Sequence, residues 1–336
     1  MRRIATAAVL AMALLVAGCG GDDGDQDTTT IKLGYLNTEA ISPPLFVGIE
    51  KGIFAKYGIE LELVKFDAGP AASQALAAGS VDVVDAGAAL VANFAAKGQG
   101  KVLTPTFLEY DTNQIWVRED SGIQSVADLA GKQIALPIGT TAHVLLQTAL
   151  VNHGVDPATV EVVNTPMGSA ASSLISGAVD AAALWIPHQF VVQQNLPGAR
   201  QITSLKDYYP DVAVLGGMVA NNDFYNSHQD ALRGLVAAFL EANDTMLRDE
   251  EALRVSWEKA FQAEEPWEQF KRNWDTVGYP TSQEWREYVN NGDVAKWIEV
   301  VEQVMVDIGA LDQVYDPAGF FDRDLFLAAY DEYQKA

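Results

Sequence analysis

Ile31 to Asp82 reads IKLGYLNTEAISPPLFVGIEKGIFAKYGIELELVKFDAGPAASQALAAGSVD, and its pattern is the clearest guide to the class of fold. Ile31 to Tyr35 is typical of a short strand, and Ser42-Pro43 is a typical helix start, a cap followed by proline. Ile59 to Leu63 then alternates apolar and charged residues, as a strand with one buried face does. Strands alternating with helices predict parallel βαβ units, with helices on both faces of each sheet.

A short motif occurs twice in the chain. Gly79-Ser80-Val81-Asp82 and Gly177-Ala178-Val179-Asp180 share the pattern Gly-x-Val-Asp, 98 residues apart. Each copy follows a helix-like stretch rich in Ala, Ser and Leu. The repeat favours two similar α/β lobes, since a solenoid needs more copies. The alternative is that glycine simply ends many helices ahead of a strand.

The composition excludes several classes of function. The chain has 336 residues, enough for about two domains, and carries 22 Lys and Arg against 45 Asp and Glu, a net charge of −23. Phosphate binding needs clustered positive charge, so we expect no nucleic acid as a partner. One cysteine forms no disulfide within the chain and no thiolate zinc site. The four histidines show no HxxH or HExxH spacing, and we expect neither a metal nor a cofactor.

The N-terminus predicts an export signal and a lipid anchor. Met1-Arg2-Arg3 is basic, and the apolar stretch from Ile4 to Gly18 would span only about 22 Å as a helix, too short to cross a bilayer. The small residues before Cys19 resemble the signal of a bacterial lipoprotein, in which that cysteine is lipidated. We therefore expect a signal peptide over 1–18 and an acidic, solvated tether over 19–30. The alternative for Cys19 is an ordinary buried thiol.

Long helical segments replace the alternation after about residue 221. The predicted helices are Gln229 to Arg248, Glu250 to Gln262, Pro266 to Val277 and Ser282 to Ile308. Five of the seven tryptophans lie in them, at Trp257, Trp267, Trp274, Trp285 and Trp297. Tryptophans on amphipathic helices without interleaved basic residues indicate core packing rather than a stacking surface for bases.

Three ordered blocks resemble the solute-binding proteins of ABC transporters, in the group that takes sulfonates, taurine, nitrate and thiamine precursors. The first block is Ile31 to Asp82, with KGIFAKYGIELEL, F-x-x-GP and AL-x-x-G-x-VD. The second is Ile123 to His143, which reads IQSVADLAGKQIALPIGTTAH. The third is Ser173 to Pro187, with G-x-VDA followed by W-x-P. The likeness runs in order over about residues 31 to 225.

The resemblance implies an α/β, two-lobed periplasmic-binding-protein fold of the type II-like kind. Two crossover strands would join the lobes, and the C-terminal part would be helical. Lobe one would comprise 31–111 and 217–336, and lobe two 112–216. Ligands of open α/β sheets lie beyond the carboxyl ends of the strands, so the loops there are the candidate contacts. Hinged closure of the lobes on the ligand is the expected motion.

The resemblance also implies a receptor. We expect an extracytoplasmic protein, held at the outer face of the cytoplasmic membrane by the lipid on Cys19, that passes a small organic anion to ABC permease subunits with a cytoplasmic ATPase. A sulfonate or taurine-like ligand is expected, with a thiamine pyrimidine, nitrate or an aromatic carboxylate as alternatives, and the receptor is expected to be a monomer. An enzyme is the remote alternative, because the only cysteine lies outside the lobes and the sequence has no GxSxG elbow. A sensor that never delivers to a permease is a third possibility.

Candidate ligand contacts follow the predicted strands. Thr38 and Glu39 precede a helix start, where free N–H groups suit an anion, and they are equally typical of a cap cluster. Gly87 and Ala88 follow the strand near Val84. Relatives often have Ser or Thr in this loop, so alanine here leaves binding to backbone N–H groups.

The strongest candidate patch is Gly139-Thr140-Thr141-Ala142-His143. Thr140 and Thr141 supply hydroxyls at a helix start, and His143 supplies an imidazole. The alternative is a threonine-capped helix with His143 packed on the sheet. Trp185 is either an aromatic wall for the organic part of a ligand or a core residue.

The presumed crossovers complete the candidate set. Gln114 lies on the first crossover, and Gly216 lies on the return. Taurine-type members tend to carry a carboxylate on the return strand that meets the substrate amine, and Gly216-Gly217 stand there in this chain. Glu39 is left as the predicted partner for an amine.

Overall fold

The computed structural model describes residues 28–66, 69–88, 91–92, 94 and 98–336. The predicted signal peptide, Cys19 and most of the predicted tether lie outside these residues. Thr29 and Thr30, assigned to the tether from the sequence, instead begin the first strand. The N–H of Thr29 donates to the carbonyl of Gly58 at 2.8 Å, which starts a parallel pairing with the second strand. No helix in the described ranges is long and apolar enough to span a membrane.

The strands of the described residues form two five-stranded sheets. Sheet one has the order β2-β1-β3-β10-β4 and contains β1 (Thr29–Leu36), β2 (Ile59–Phe66), β3 (Val83–Ala86), β4 (Gly100–Leu108) and β10 (Leu215–Asn221). Sheet two has the order β7-β6-β8-β5-β9 and contains β5 (Asn113–Val117), β6 (Gln133–Leu136), β7 (Glu161–Asn164), β8 (Ala181–Trp185) and β9 (Arg200–Ser204). We call the elements around each sheet lobe one and lobe two.

The two sheets share one topology. In sheet one β10 runs opposite to the other four strands, and in sheet two β5 does. Each of these is the first strand after the chain passes from one sheet to the other. Its amino end therefore lies beside the carboxyl ends of the parallel strands: Asn113 pairs with Trp185, and Leu215 pairs with Leu108. The predicted two-lobed α/β class is confirmed.

Helices surround both sheets. In the described residues they are α1 (Ser42–Glu50), α2 (Ile53–Lys56), α3 (Gly69–Ala77), α4 (Thr141–Asn152), α5 (Met167–Ser176), α6 (His188–Asn195), α7 (Asn222–Ser227), α8 (Gln229–Arg248), α9 (Glu250–Ala260), α10 (Trp267–Trp274), α11 (Ser282–Asn291), α12 (Asp293–Asp307) and α13 (Arg323–Tyr333).

The Gly-x-Val-Asp repeat has the same hydrogen bonds in both lobes. In lobe one the N–H of Asp82 donates to the carbonyl of Lys32 at 2.8 Å, and the Asp82 carboxylate accepts from the N–H of Lys32 at 2.8 Å. In lobe two Asp180 makes the corresponding pair of bonds with Gln133, at 3.0 and 2.9 Å. The aspartate thus ties the strand entering the sheet to its neighbour. The repeat is a structural duplication and more than a coincidence of helix endings.

The C-terminal helices differ from the sequence prediction at one point. The predicted helix from Ser282 to Ile308 is two helices, α11 and α12, because Gly292 adopts φ +85° and ends the first of them. The tryptophans on these helices are core residues, as predicted: Trp285 is fully buried and Trp297 is 2% exposed.

A buried polar network attaches this helical part to the loop after β1. The side-chain nitrogen of Asn273 donates to the carboxylates of both Glu39 and Glu265, the latter at 3.0 Å. The hydroxyl of Tyr279 donates to the carbonyl of Glu39. Burial and the nearby Glu39 carboxylate raise the pKa of Glu265 to about 8, and burial also raises the pKa of Glu39. The network is more stable when one of these two carboxyl groups is protonated and therefore neutral.

Gly216 is required by the packing of β10 on β4. A Cβ at this position would lie 2.1 Å from a ring carbon of Phe107. We expect Gly216→Ala to lower the free energy of unfolding by about 1 to 3 kcal/mol, because the Phe107 ring must move within a packed core. Gly319→Ala is the control, since a Cβ there meets nothing within 4 Å. Denaturant unfolding measures both, and equal stability of the two variants would contradict this account.

The Glu39–Glu265 pair predicts a pH dependence of stability. Glu265 has a folded pKa of about 8 against an ordinary value of 4.5, so the folded state binds more protons between these values. The free energy of unfolding must then fall as pH rises through this window, by at most about 1.4 kcal/mol per pH unit for one proton. Glu265→Gln should reduce this slope and make the protein more stable than wild type near pH 8.

The control for this experiment is Glu268→Gln, which alters an exposed carboxylate in the first turn of α10. Its slope should equal that of wild type. Some slope should remain in Glu265→Gln, because burial raises the pKa of Asp85 and of Glu302 to about 7. An unchanged slope in Glu265→Gln would show that Glu265 is ionised in the folded protein.

Candidate functional site

The candidate loops lie where the two sheets face each other. The parallel strands of each sheet end at one edge, and the two antiparallel strands begin there. We call the segments at this edge the cleft segments: residues 37–42, 85–88, 109–114, 137–143, 185–188 and 212–217. Every ligand contact predicted from the sequence belongs to one of them.

The two crossovers run side by side. The N–H of Glu109, on the first crossover, donates to the carbonyl of Val214, on the return, at 2.7 Å. The N–H of Ile186 donates to the carbonyl of Thr112 at 3.1 Å, which brings the end of β8 to the same place. These bonds fix the backbone at the junction of the lobes.

Thr38 and Glu39 form a tight turn ahead of α1. The carbonyl of Thr38 accepts from the N–H groups of Ile41 and Ser42 at 3.1 and 3.0 Å. Glu39 is 6% exposed and its carboxylate is engaged with Asn273, on the lobe-one side of the turn. A role for Glu39 as an amine partner therefore stays a prediction that its hydrogen bonding does not favour.

Gly87 and Ala88 differ in their exposure to solvent. Ala88 is 4% exposed, and its side chain lines a small apolar cavity together with Leu215, Ile298 and Val301. Its contact with a ligand stays a prediction. Gly87 is partly exposed, and a Cβ there would lie 3.1 Å from Oε1 of Glu109.

The patch from Gly139 to His143 is largely satisfied by its own loop. Thr140 Oγ1 donates to the carbonyl of Pro137 at 2.7 Å, and Thr141 Oγ1 donates to the side-chain oxygen of Asn113 at 3.3 Å. His143 is 5% exposed, its Nδ1 accepts from the N–H of Gly139 at 3.3 Å, and burial lowers its pKa. The ring is thus neutral and supports the loop. The N–H groups of His143 and Val144 donate to the carbonyl of Thr140 at 2.9 and 3.0 Å. The helix offers no acceptor to the N–H groups of Thr141 and Ala142, its first two residues.

The side chains of Gln114 and Trp185 also make contacts within the protein. The side-chain amide of Gln114 donates to the carbonyl of Asp111 at 3.0 Å and accepts from the indole N–H of Trp116 at 2.8 Å. Trp185 is partly buried and packs on the core of lobe two at the end of β8. Gly216 is explained by the Phe107 ring against it. Their ligand contacts remain predictions.

Glu109 is a site residue that the sequence analysis missed. Its Oε2 accepts from Thr112 Oγ1 at 2.8 Å and from the side-chain nitrogen of Asn113 at 2.6 Å. Asn113 in turn accepts from Thr141, so a polar path leads from Gly87 across Glu109 to the start of α4. Glu109 stands in no glycine-rich or hydroxyl-rich motif, and the only signal was its position close to the predicted lobe boundary at residue 111.

The described residues contain no cluster of three or more His, Cys, Asp or Glu that could hold a metal ion. Backbone N–H groups in the first turn of α4 and the Glu109 carboxylate can form hydrogen bonds at this edge. Such an arrangement suits the capture of a small polar molecule between the lobes.

Comparison with known proteins agrees with this geometry. A Brucella abortus protein named as a binding protein is 26% identical over 308 residues, covering 90% of this chain and 93% of its own. A Bacillus subtilis protein named as aliphatic sulfonates-binding is 31% identical over 185 residues, covering 54% of this chain and 56% of its own. The crystal structure of the periplasmic aliphatic sulphonate binding protein SsuA from Escherichia coli has a TM-score of 0.71 at 20% identity, covering 87% of this chain and 91% of that one.

These relatives are binding proteins, which confirms the interpretation of a binding protein rather than an enzyme. The structural neighbour confirms the periplasmic-binding-protein fold. The sequence model of the NMT1/THI5 like family matches residues 41–252, which is more than half of the chain. The chain belongs to the NMT1/THI5-like family.

Proposed function

We propose that the protein is the extracytoplasmic solute-binding receptor of an ABC importer and captures a small organic anion, a sulfonate or taurine-like compound, between its lobes. Cys19 carries the lipid that holds it at the outer face of the cytoplasmic membrane. The receptor acts as a monomer and delivers its ligand to permease subunits. The observation that carries the proposal is the meeting of both sheets' strand ends around two adjacent crossovers, in a chain similar over 90% of its length to a named binding protein.

Backbone N–H groups are the anion donors in this proposal. The first turn of α4 begins at Thr141, and helix N-termini attract anions through free N–H groups and the helix dipole. The hydroxyls of Thr140 and Thr141 already donate within the protein, so they position the loop rather than supply a proton to the ligand. Gly87 offers a second backbone approach, from lobe one.

Local donors explain how an acidic protein binds an anion. The charge of −23 is spread over a surface screened within about 8 Å at physiological salt. N–H groups that touch a desolvated anion act at hydrogen-bond distance and are not screened in this way. Net charge therefore does not decide the sign of the ligand.

A thermal-unfolding screen tests the proposal. The purified protein is heated with alkanesulfonates, taurine, nitrate, thiamine pyrimidines and aromatic carboxylates. A ligand that binds only the folded state at a hundredfold excess over Kd stabilises by about 2.7 kcal/mol. We expect stabilisation by sulfonates. Stabilisation by heterocycles or aromatic carboxylates alone would keep a receptor and overturn its ligand, and no stabilisation by any compound would contradict the proposal.

A matched pair of variants tests the helix N-terminus as the anion site. Thr141→Pro removes a backbone N–H at the first helical position, where proline is well tolerated, and Thr140 before it is already extended. Thr141→Val removes only the hydroxyl. We expect Thr141→Pro to weaken sulfonate binding by roughly tenfold or more beyond Thr141→Val, the loss of a hydrogen bond to a charged group. Calorimetric titration measures both, and equal affinities would place the anion elsewhere.

A further inference from the structure

The cleft segments carry an unusual set of charges for an anion receptor. They contain no Lys or Arg, and they contain four acidic residues: Glu39, Asp85, Glu109 and Asp111. The two histidines among them, His143 and His188, have pKa values lowered by burial and are neutral. The side chains of the cleft segments therefore supply no positive charge to an anion.

Two of the four acidic side chains, Glu39 and Asp85, are buried and accept hydrogen bonds within the protein. Glu39 is engaged with Asn273 and lies near Glu265. Asp85 is fully buried in β3, where it accepts from Thr106 Oγ1 at 2.9 Å, and burial raises its pKa to about 7. Neither of these carboxyl groups is therefore assigned to a ligand.

Glu109 differs from them in position and in hydrogen bonding. It lies on the crossover between the lobes and is partly exposed. Thr112 and Asn113 both donate to Oε2, which leaves Oε1 directed towards Gly87. Because two donors hold Oε2, Oε1 also has a defined position. It lies between Gly87, a predicted ligand contact of lobe one, and the Asn113–Thr141 hydrogen bond of lobe two.

Glycine at position 87 keeps this oxygen accessible. A Cβ there would lie 3.1 Å from Oε1, closer than ordinary van der Waals contact, and would cover the side that a ligand atom could occupy. Burial raises the pKa of Glu109, so its ionised form is short of compensating charge. A cationic N–H donor beside Oε1 would supply that charge together with a hydrogen bond.

We propose that Glu109 recognises a protonated amine, or another cationic N–H group, on the ligand. The preferred ligand is then a small zwitterion or amino-bearing organic acid whose anionic end meets backbone N–H groups and whose amine meets Oε1 of Glu109. This inference rests on the proposed receptor function and specifies its substrate class. It assigns amine recognition to the first crossover, in place of Glu39 and of the return strand.

The experiment compares ligand pairs that differ only in the amine. Taurine and ethanesulfonate form one pair, and an aminopyrimidine with its analogue lacking the amino group forms the second, so that an aliphatic ammonium and an amino heterocycle are distinguished. Affinities are measured by calorimetry for wild type and for Glu109→Gln, which keeps the shape of the side chain. We expect wild type to prefer one amine-bearing compound by roughly tenfold or more, and Glu109→Gln to lose that preference through weaker binding of the amine alone.

Two further variants sharpen the test. Gly87→Ala keeps the carboxylate and covers Oε1, so it should also reduce the preference for the amine. Glu302→Gln removes a different buried carboxylate, one that accepts from the N–H of Tyr315 at 2.8 Å outside the cleft segments, and should leave the preference unchanged. Thermal unfolding without ligand shows that each variant is folded.

The outcomes separate the two levels of the proposal. Sulfonate binding by wild type without preference for the amine would overturn the assignment of Glu109 and leave the receptor function standing. An amine preference that survives in Glu109→Gln, or that is lost equally in Glu302→Gln, would also overturn it. Failure of every compound to bind would overturn the receptor function itself, and the inference would fall with it.

Discussion

β10 inserts between β3 and β4, so the centre of sheet one is completed only after the chain has passed through the whole of sheet two. All seven of its residues are buried, and Leu215 pairs with Leu108 at the edge where the chain first left this sheet. The same exchange occurs in sheet two, where β5 pairs with β8 and β9. We call β5 and β10 the exchanged strands, because each is the first strand after the chain passes from one lobe to the other. The two crossovers that lead to them lie side by side between the lobes.

This exchange explains why the candidate site lies where it does. The parallel strands end at the cleft edge and the exchanged strands begin there, so carboxyl-end loops and both crossovers converge. The crossovers are fixed by the bond from Glu109 to Val214 and by the bond from Ile186 to Thr112. Two donors at the end of the first crossover, Thr112 Oγ1 and the side-chain nitrogen of Asn113, hold the Glu109 carboxylate. A charged group there, such as Glu109, occupies a more defined position than one on a free loop.

Local patterns in the sequence predict much of this architecture. The alternation after Ile31 and the Gly-x-Val-Asp repeat depend on interactions within one βαβ unit, and the paired hydrogen bonds of Asp82 and Asp180 show the same unit in each lobe. The prediction of one helix over Ser282 to Ile308 was wrong, because Gly292 adopts a positive φ and ends the first helix although the amphipathic pattern continues. The site loops were predictable, since they follow strands, but the hydrogen-bond partners of their side chains were not. Asn273 meets Glu39 from a distant helix, and no local signal marks that contact.

The role of each candidate side chain follows from where its hydrogen bonds already go. Four candidate side chains form hydrogen bonds within the protein and so fix the shape of the cleft: Thr140, Thr141, Gln114 and His143. The proposal assigns the ligand to backbone N–H groups and to Oε1 of Glu109, since Thr112 and Asn113 both donate to Oε2. Donors at one end and an acceptor at the other match a molecule that carries both charges, and such a molecule would touch both lobes through the Gly87–Glu109–Asn113–Thr141 path. With the hinged closure that the family resemblance implies, such a ligand would bind the closed arrangement better than the open one. Selection of the amine and closure of the lobes would then draw on the same free energy.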